Sequence, residues 1–136
     1  MRVLLDADVL IDVALNRAPY VESAAALLDE LERRPGSAFI AWHTISNFYY
    51  LVVPCRGRKG TREFLLDLTD FVDVAPGTVQ GLRFAARLPL RDFEVALQVA
   101  AALACGAEVI ATRNLRDYAK APVRAAAPEV VLRELR

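Results

Sequence analysis

Cysteine, histidine and tryptophan are nearly absent from this chain of 136 residues, with two, one and one copies respectively. Cys55 and Cys105 lack the paired spacing of a metal knuckle and cannot build a disulfide framework. Two free thiols in a reducing compartment are therefore expected. No charge sign dominates either, because 17 basic residues face 17 acidic ones. That balance excludes a histone-like basic binder, so any contact with nucleic acid must come from a local patch. No apolar run approaches membrane-spanning length, and the first one is interrupted at Asp6 and Asp8 in a way no signal peptide is. A cytoplasmic protein with no membrane role is the expectation. Glycine-rich phosphate loops are missing after that run, which argues against a nucleotide binder. Repeats, linkers and low-complexity tracts are also lacking.

What is present is a globular composition, 55% hydrophobic and 25% charged, rich in alanine. It suits one domain, residues 1–136, with closely packed helices. Val3 to Leu5 reads as a buried strand, and Asp6 or Asp8 opens a helix through Ala14. After the turn Asn16–Pro19, apolar residues recur at helical spacing from Tyr20 to Arg34, where Pro35-Gly36 stops them. Ala38–Ile40 is a candidate strand. Thr44–Val53 predicts a helix ended by Pro54, the basic cluster Arg56–Gly60 follows, and a further helix runs from Thr61 to Asp70. Phe71–Ala75 alternates like a strand, and Pro76-Gly77 opens a helix to Arg87. Asp92–Cys105 is the clearest helix, with Gly106 in the usual position past its end. Val109–Ala111 is a strand leading into the loop Thr112–Asn114, and a strand near Val123 and a helix from Pro128 close the chain.

Strands alternating with helices predict an α/β fold, a mostly parallel sheet of four to five short strands with helices on both faces. Ligands of such sheets sit outside the carboxyl ends of the strands. That rule selects Asp6 and the Thr112–Asn114 loop.

Several short motifs then occur in a particular order. The opening Leu4-Leu5-Asp6-Ala7-Asp8 resembles that of PIN-domain ribonucleases, where an acid follows the first strand and a polar residue lies two positions later. Arg17-Ala18-Pro19 is similar to the R-x-P turn of a bacterial PIN subfamily. Asp92-Phe93-Glu94-Val95-Ala96-Leu97-Gln98 resembles its D-F-E-D-A-L-Q, Thr112-Arg113-Asn114 its T-R-N, and Asp117-Tyr118 its D-F. Asn47-Phe48-Tyr49-Tyr50 is similar to a segment where the family carries Glu, an apolar residue and two aromatics. The resemblance covers essentially the whole chain and implies a VapC-like toxin of a toxin–antitoxin pair. It implies RNA as substrate, an antitoxin protein as partner, and a homodimer. The implied chemistry is phosphodiester hydrolysis with Mg²⁺ or Mn²⁺ held by converging carboxylates, since hard cations take oxygen ligands and activate bound water.

On that resemblance the site residues are Asp6, Asn47, Asp92, Glu94, Asn114 and Asp117, with Asp6, Asp92 and Glu94 as metal ligands. Two positions depart from the family. Its Glu is here Asn47, and the fourth letter of D-F-E-D is here Val95, so the expected site has lost two carboxylates. Asp92 or Glu94 would have to serve in place of Val95, although an Asp at that place also reads as a helix cap. Two functions stay open: a metal-dependent endoribonuclease with a depleted acidic site, and a catalytically inactive PIN-fold module that binds RNA or a protein partner. The remaining polar residues have plainer readings. Asp8 caps or orients, Asp12 is a surface acid, and His43 is a packed or surface residue. Arg56, Arg58 and Lys59 form a solvated loop or touch phosphate.

Overall fold

Five strands of three residues make the frame in the computed structural model, which describes residues 1–136. They are β1 (Val3–Leu5), β2 (Ala38–Ile40), β3 (Val72–Val74), β4 (Val109–Ala111) and β5 (Arg124–Ala126). All pairings are parallel, in the order β3-β2-β1-β4-β5. β1 is central because its side chains can be: Val3, Leu4 and Leu5 are all fully buried, as a strand covered on both faces requires. Successive side chains point to opposite faces. Val3 and Leu5 therefore join one core with Ile40, Val109 and Ala111, while Leu4 joins another with Ile110.

Six helices cover the sheet: α1 (Ala7–Ala14), α2 (Val21–Glu32), α3 (Trp42–Leu68), α4 (Val79–Arg87), α5 (Phe93–Cys105) and α6 (Pro128–Leu135). α1, α2, α3 and α6 supply Leu10, Leu27, Phe48 and Val131 to the first core. α5 supplies Val95, Val99 and Ala102 to the second, and α4 packs on α5 from outside. The predicted parallel α/β sheet with helices on both sides is thus observed, with five strands.

Some boundaries differ from the sequence expectation. The helix expected to end at Pro54 starts earlier, at Trp42, and runs past the proline to a break at Gly57. Pro54 removes the partner of the Tyr50 carbonyl. Both residues lie on the exposed side of α3, where water can replace that bond. The break falls at Gly57 because its backbone, φ 80° and ψ 163°, is open only to glycine. α4 starts at Val79 rather than at Pro76-Gly77, since the Thr78 hydroxyl accepts from the Gly81 N–H at 3.1 Å and sets the cap. α2 is shorter at both ends than Tyr20–Arg34, and β5 begins one residue beyond Val123.

Asp12 is a larger correction. It is 1% exposed, not a surface acid. Arg17 Nε donates to its Oδ1 at 2.8 Å and Arg113 Nε to its Oδ2 at 2.7 Å. The Arg113 guanidinium also lies over the Tyr20 ring, 3.9 Å from its centroid. A buried carboxylate needs such partners, and here they come from two loops that α1 thereby pins.

Packing predicts where stability is concentrated. Phe48 is fully buried and stacks on Phe64 with ring centroids 5.3 Å apart. Phe48→Ala should lose about 3–5 kcal/mol in denaturant unfolding, while Tyr50→Ala, on the exposed side, should stay within about 0.5 kcal/mol. Equal losses would contradict this assignment of the core.

Candidate functional site

β1 lies between β2, which follows it in the chain, and β4, which arrives after the chain has crossed the sheet. Such a reversal opens a crevice at the carboxyl ends of the strands. Here the Asp6 N–H donates to the Ala111 carbonyl at 3.0 Å, so the residues leaving β1 and β4 stand side by side. Asp6 is also the N-cap of α1, its Oδ1 accepting from the Ala7 N–H at 2.7 Å.

The Asp6 carboxylate has further partners. Oδ1 also accepts from Gln98 Nε2 at 3.0 Å, and Oδ2 accepts from the Thr112 hydroxyl at 2.8 Å and the Tyr118 hydroxyl at 3.2 Å. Gln98, 2% exposed, is itself oriented by the Thr44 hydroxyl, which donates to its Oε1 at 3.2 Å. Burial, and then the charge of Asp6, push the Tyr118 hydroxyl far above its ordinary value, so it stays a donor. Thr112 opens the loop that the strand-end rule selects, whereas Gln98 and Tyr118 enter the sequence reading only as letters of longer motifs, with no role of their own. A signal existed for Gln98, the sole polar side chain of α5 beyond Glu94, because a buried amide must find partners.

Asp8 is less well served. Its Oδ2 accepts from the Arg113 N–H at 2.9 Å, but its Oδ1 is buried without a partner. Burial and the adjacent Asp6 charge raise it to about 6, with the Arg113 backbone N–H and guanidinium opposing. The Arg113 side chain is committed to Asp12, so Asp8 keeps only part of its help.

All six residues selected by sequence reach one cleft of about 220 Å³: Asp6, Asn47, Asp92, Glu94, Asn114 and Asp117. They do not act alike. Asp92 caps α5, its Oδ1 accepting from the Glu94 N–H at 2.9 Å. Glu94 Oε1 accepts from Asn47 Nδ2 at 2.6 Å, a neutral donor across the cleft. Burial, then Asp92, then Asp6 raise Glu94 above the usual carboxylate range. Asn114 and Asp117 are exposed around the short 3₁₀ turn Leu115–Tyr118. Val95 turns into the second core, 7% exposed, with its edge on the cleft wall. No Lys or Arg lines the cleft.

Other candidates fall elsewhere. His43 lines a separate hollow of about 450 Å³ with Trp42, Leu82 and Leu97, and no carboxylate borders it. Burial lowers the imidazole, against the Asp6 charge and the Glu94 backbone, and its Nε2 has no partner. Arg56 is not free for phosphate. It donates to the Ala14 carbonyl at 2.9 Å and covers the Phe64 ring.

A divalent ion of the kind the family resemblance implies does not fit this donor set. A carboxylate offers roughly four lone-pair directions, and those of Asp6 are met by Ala7, Gln98, Thr112 and Tyr118. No three His, Cys, Asp or Glu side chains converge closely enough to share an ion.

An open parallel α/β sheet with an acidic cleft at its reversal point defines the class. A family model described as PIN domain matches residues 2–116, and the chain belongs to that family. Among solved structures, the chain is similar to one in the crystal structure of VapBC2 from Rickettsia felis bound to a DNA fragment from their promoter. The TM-score is 0.70 at 14% identity, over 93% of this chain and 98% of that one, a likeness of fold. No curated protein matches.

Asp8 makes the site pH-sensitive. Its folded value of about 6 exceeds the ordinary 3.8, so the native state binds the extra proton between those limits. Its contribution to stability is thus fully present below about pH 4 and lost as pH rises through 6. Wild-type stability minus that of Asp8→Asn should fall across this window, by on the order of 3 kcal/mol. A difference independent of pH would show that Asp8 is not strained by its charge.

Proposed function

We propose that this chain is a VapC-like PIN protein that keeps the ribonuclease cleft with two of the expected acids replaced and works by binding. The observation that carries the reading is the occupied Asp6: its carboxylate is engaged by donors from α1, α5, the β4 loop and the 3₁₀ turn. Val95 and Asn47 add to it, because neither offers a charge to the cleft. The partner we favour is an antitoxin-like protein. The similarity in fold to a chain of the VapBC2–promoter complex supports this, and so does the cleft itself, whose unneutralised acids suit a basic side chain. A homodimer belongs to the same proposal. It is supported by Trp42 and Tyr50 on α3, 71% and 73% exposed, side chains that interfaces commonly use.

The second reading is the metal-dependent endoribonuclease. One observation favours it: the buried Asp8 Oδ1 without a partner, in a cleft lined by no basic side chain. Arg58 and Lys59 are exposed near Gly57 and available to a phosphate backbone.

Incubation with a short single-stranded RNA at millimolar Mg²⁺ or Mn²⁺ separates the two, with EDTA and Asp6→Ala as controls. The expected result is no metal-dependent cutting by the natural chain, and cutting by the repaired Asn47→Glu, Val95→Asp variant. Cutting by the natural chain that both controls abolish would overturn the binding-module reading in favour of the nuclease.

A further inference from the structure

Besides the two replaced acids, one contact on Asp6 sets this cleft apart. The family motif that Asp117-Tyr118 resembles carries phenylalanine at its second position, and this chain carries a tyrosine. That single oxygen reaches Asp6 Oδ2 at 3.2 Å from a ring that is 4% exposed and packed in the second core. The other three donors are accounted for by the fold. The Ala7 N–H is the first amide of α1, Thr112 ends β4, and Gln98 is set by Thr44. Thr112 is fixed from its other side too, its Oγ1 accepting from the Asn114 N–H at 3.0 Å. The Tyr118 hydroxyl can be removed without moving backbone, leaving a hole in the core or stranding another donor, since phenylalanine fills the same space and the Asn114 N–H keeps Thr112.

Position 95 is the counterpart of this change. The family's acid there is replaced by a side chain that buries itself beside Leu4, Val99 and Tyr118. A cleft that lost that carboxylate would leave the Asp6 charge with no cation to share. A neutral hydroxyl aimed at the open lone pair supplies a charge-assisted hydrogen bond instead.

We infer that Tyr118 is the residue that closes Asp6 to cations: its hydroxyl occupies the lone pair that a divalent ion would need, converting Asp6 from a ligand into the keystone of a hydrogen-bonded cage. The inference rests on the binding-module reading above but can fail separately from it. RNA cutting by the natural chain would remove that reading, whereas the present one is decided by metal binding without RNA.

The test is calorimetric titration of Mn²⁺ into the natural chain and the Tyr118→Phe, Val95→Asp and doubly substituted variants, each checked by circular dichroism. Melting temperature with and without Mn²⁺ is the second readout. A hydrogen bond to a charged group corresponds to about ten-fold or more in an equilibrium. The double variant is therefore expected to bind Mn²⁺ about ten-fold tighter than Val95→Asp alone, and to melt higher only when the ion is present. Equal affinity in those two proteins would show that the hydroxyl closes nothing. Binding by the natural chain as tight as by the double variant would overturn the inference as well. Tyr118→Phe alone decides the matter if the double variant does not fold: it should gain Mn²⁺ affinity over the natural chain, and unchanged affinity counts against the role of Tyr118.

Discussion

The carboxylate of Asp6 is the interaction on which the arrangement of this molecule turns. Four donors meet on it, from the first turn of α1, the middle of α5, the end of β4 and the 3₁₀ turn. Through Gln98 the network extends to Thr44 on α3. Apolar packing brings these elements near one another but is non-directional. The carboxylate supplies direction, because each donor must arrive at a particular angle and distance. A site at the edge of so short a sheet needs that precision, since three-residue strands leave little room to correct an error in register.

Three acids lie near each other on β1 and α1, and their surroundings divide their roles. Asp12 is enclosed by two arginines and does structural duty, tying the turn after α1 to the loop after β4. Asp6 is enclosed by neutral donors. Asp8, between them, receives one backbone N–H, a long contact from the Thr112 hydroxyl that Asp6 holds more closely, and the remnant of an arginine's field, and its charge is the least comfortable of the three. A carboxylate left in that state is held there by its neighbours at some expense in stability.

Much of this was legible in the sequence. The fold class follows from short apolar runs alternating with helical periodicity, and Asp6 follows from its place after the first run. Asn47, Asp92, Glu94 and Asp117 were found by likeness of motif, which geometry in the sequence alone would not have supplied. What the sequence hid was partnership. Asp12 reads as a surface acid because a helical wheel does not show Arg113, 101 positions away, folding back onto it. Gln98 and Tyr118 stand in the sequence only as motif letters without a role, because their partner is 92 and 112 residues distant. Pro54 misleads for the opposite reason. The local rule was right about the lost hydrogen bond, but solvent on that face of α3 absorbs the loss.

The strand order has a consequence for how the chain is made. β1 precedes the other four strands in the chain and is the middle strand of the finished sheet. Its first neighbour, β2, follows within about forty residues, but the other, β4, pairs Val3 with Val109. Through most of synthesis one edge of the most apolar strand has no mate, and Asp6 has neither Gln98, Thr112 nor Tyr118 to hold it. An unpaired apolar edge invites association with other chains. α1 and α3 follow β1 in the chain and cover one of its faces, while the site needs α5, the loop after β4 and the 3₁₀ turn, all far later in the sequence.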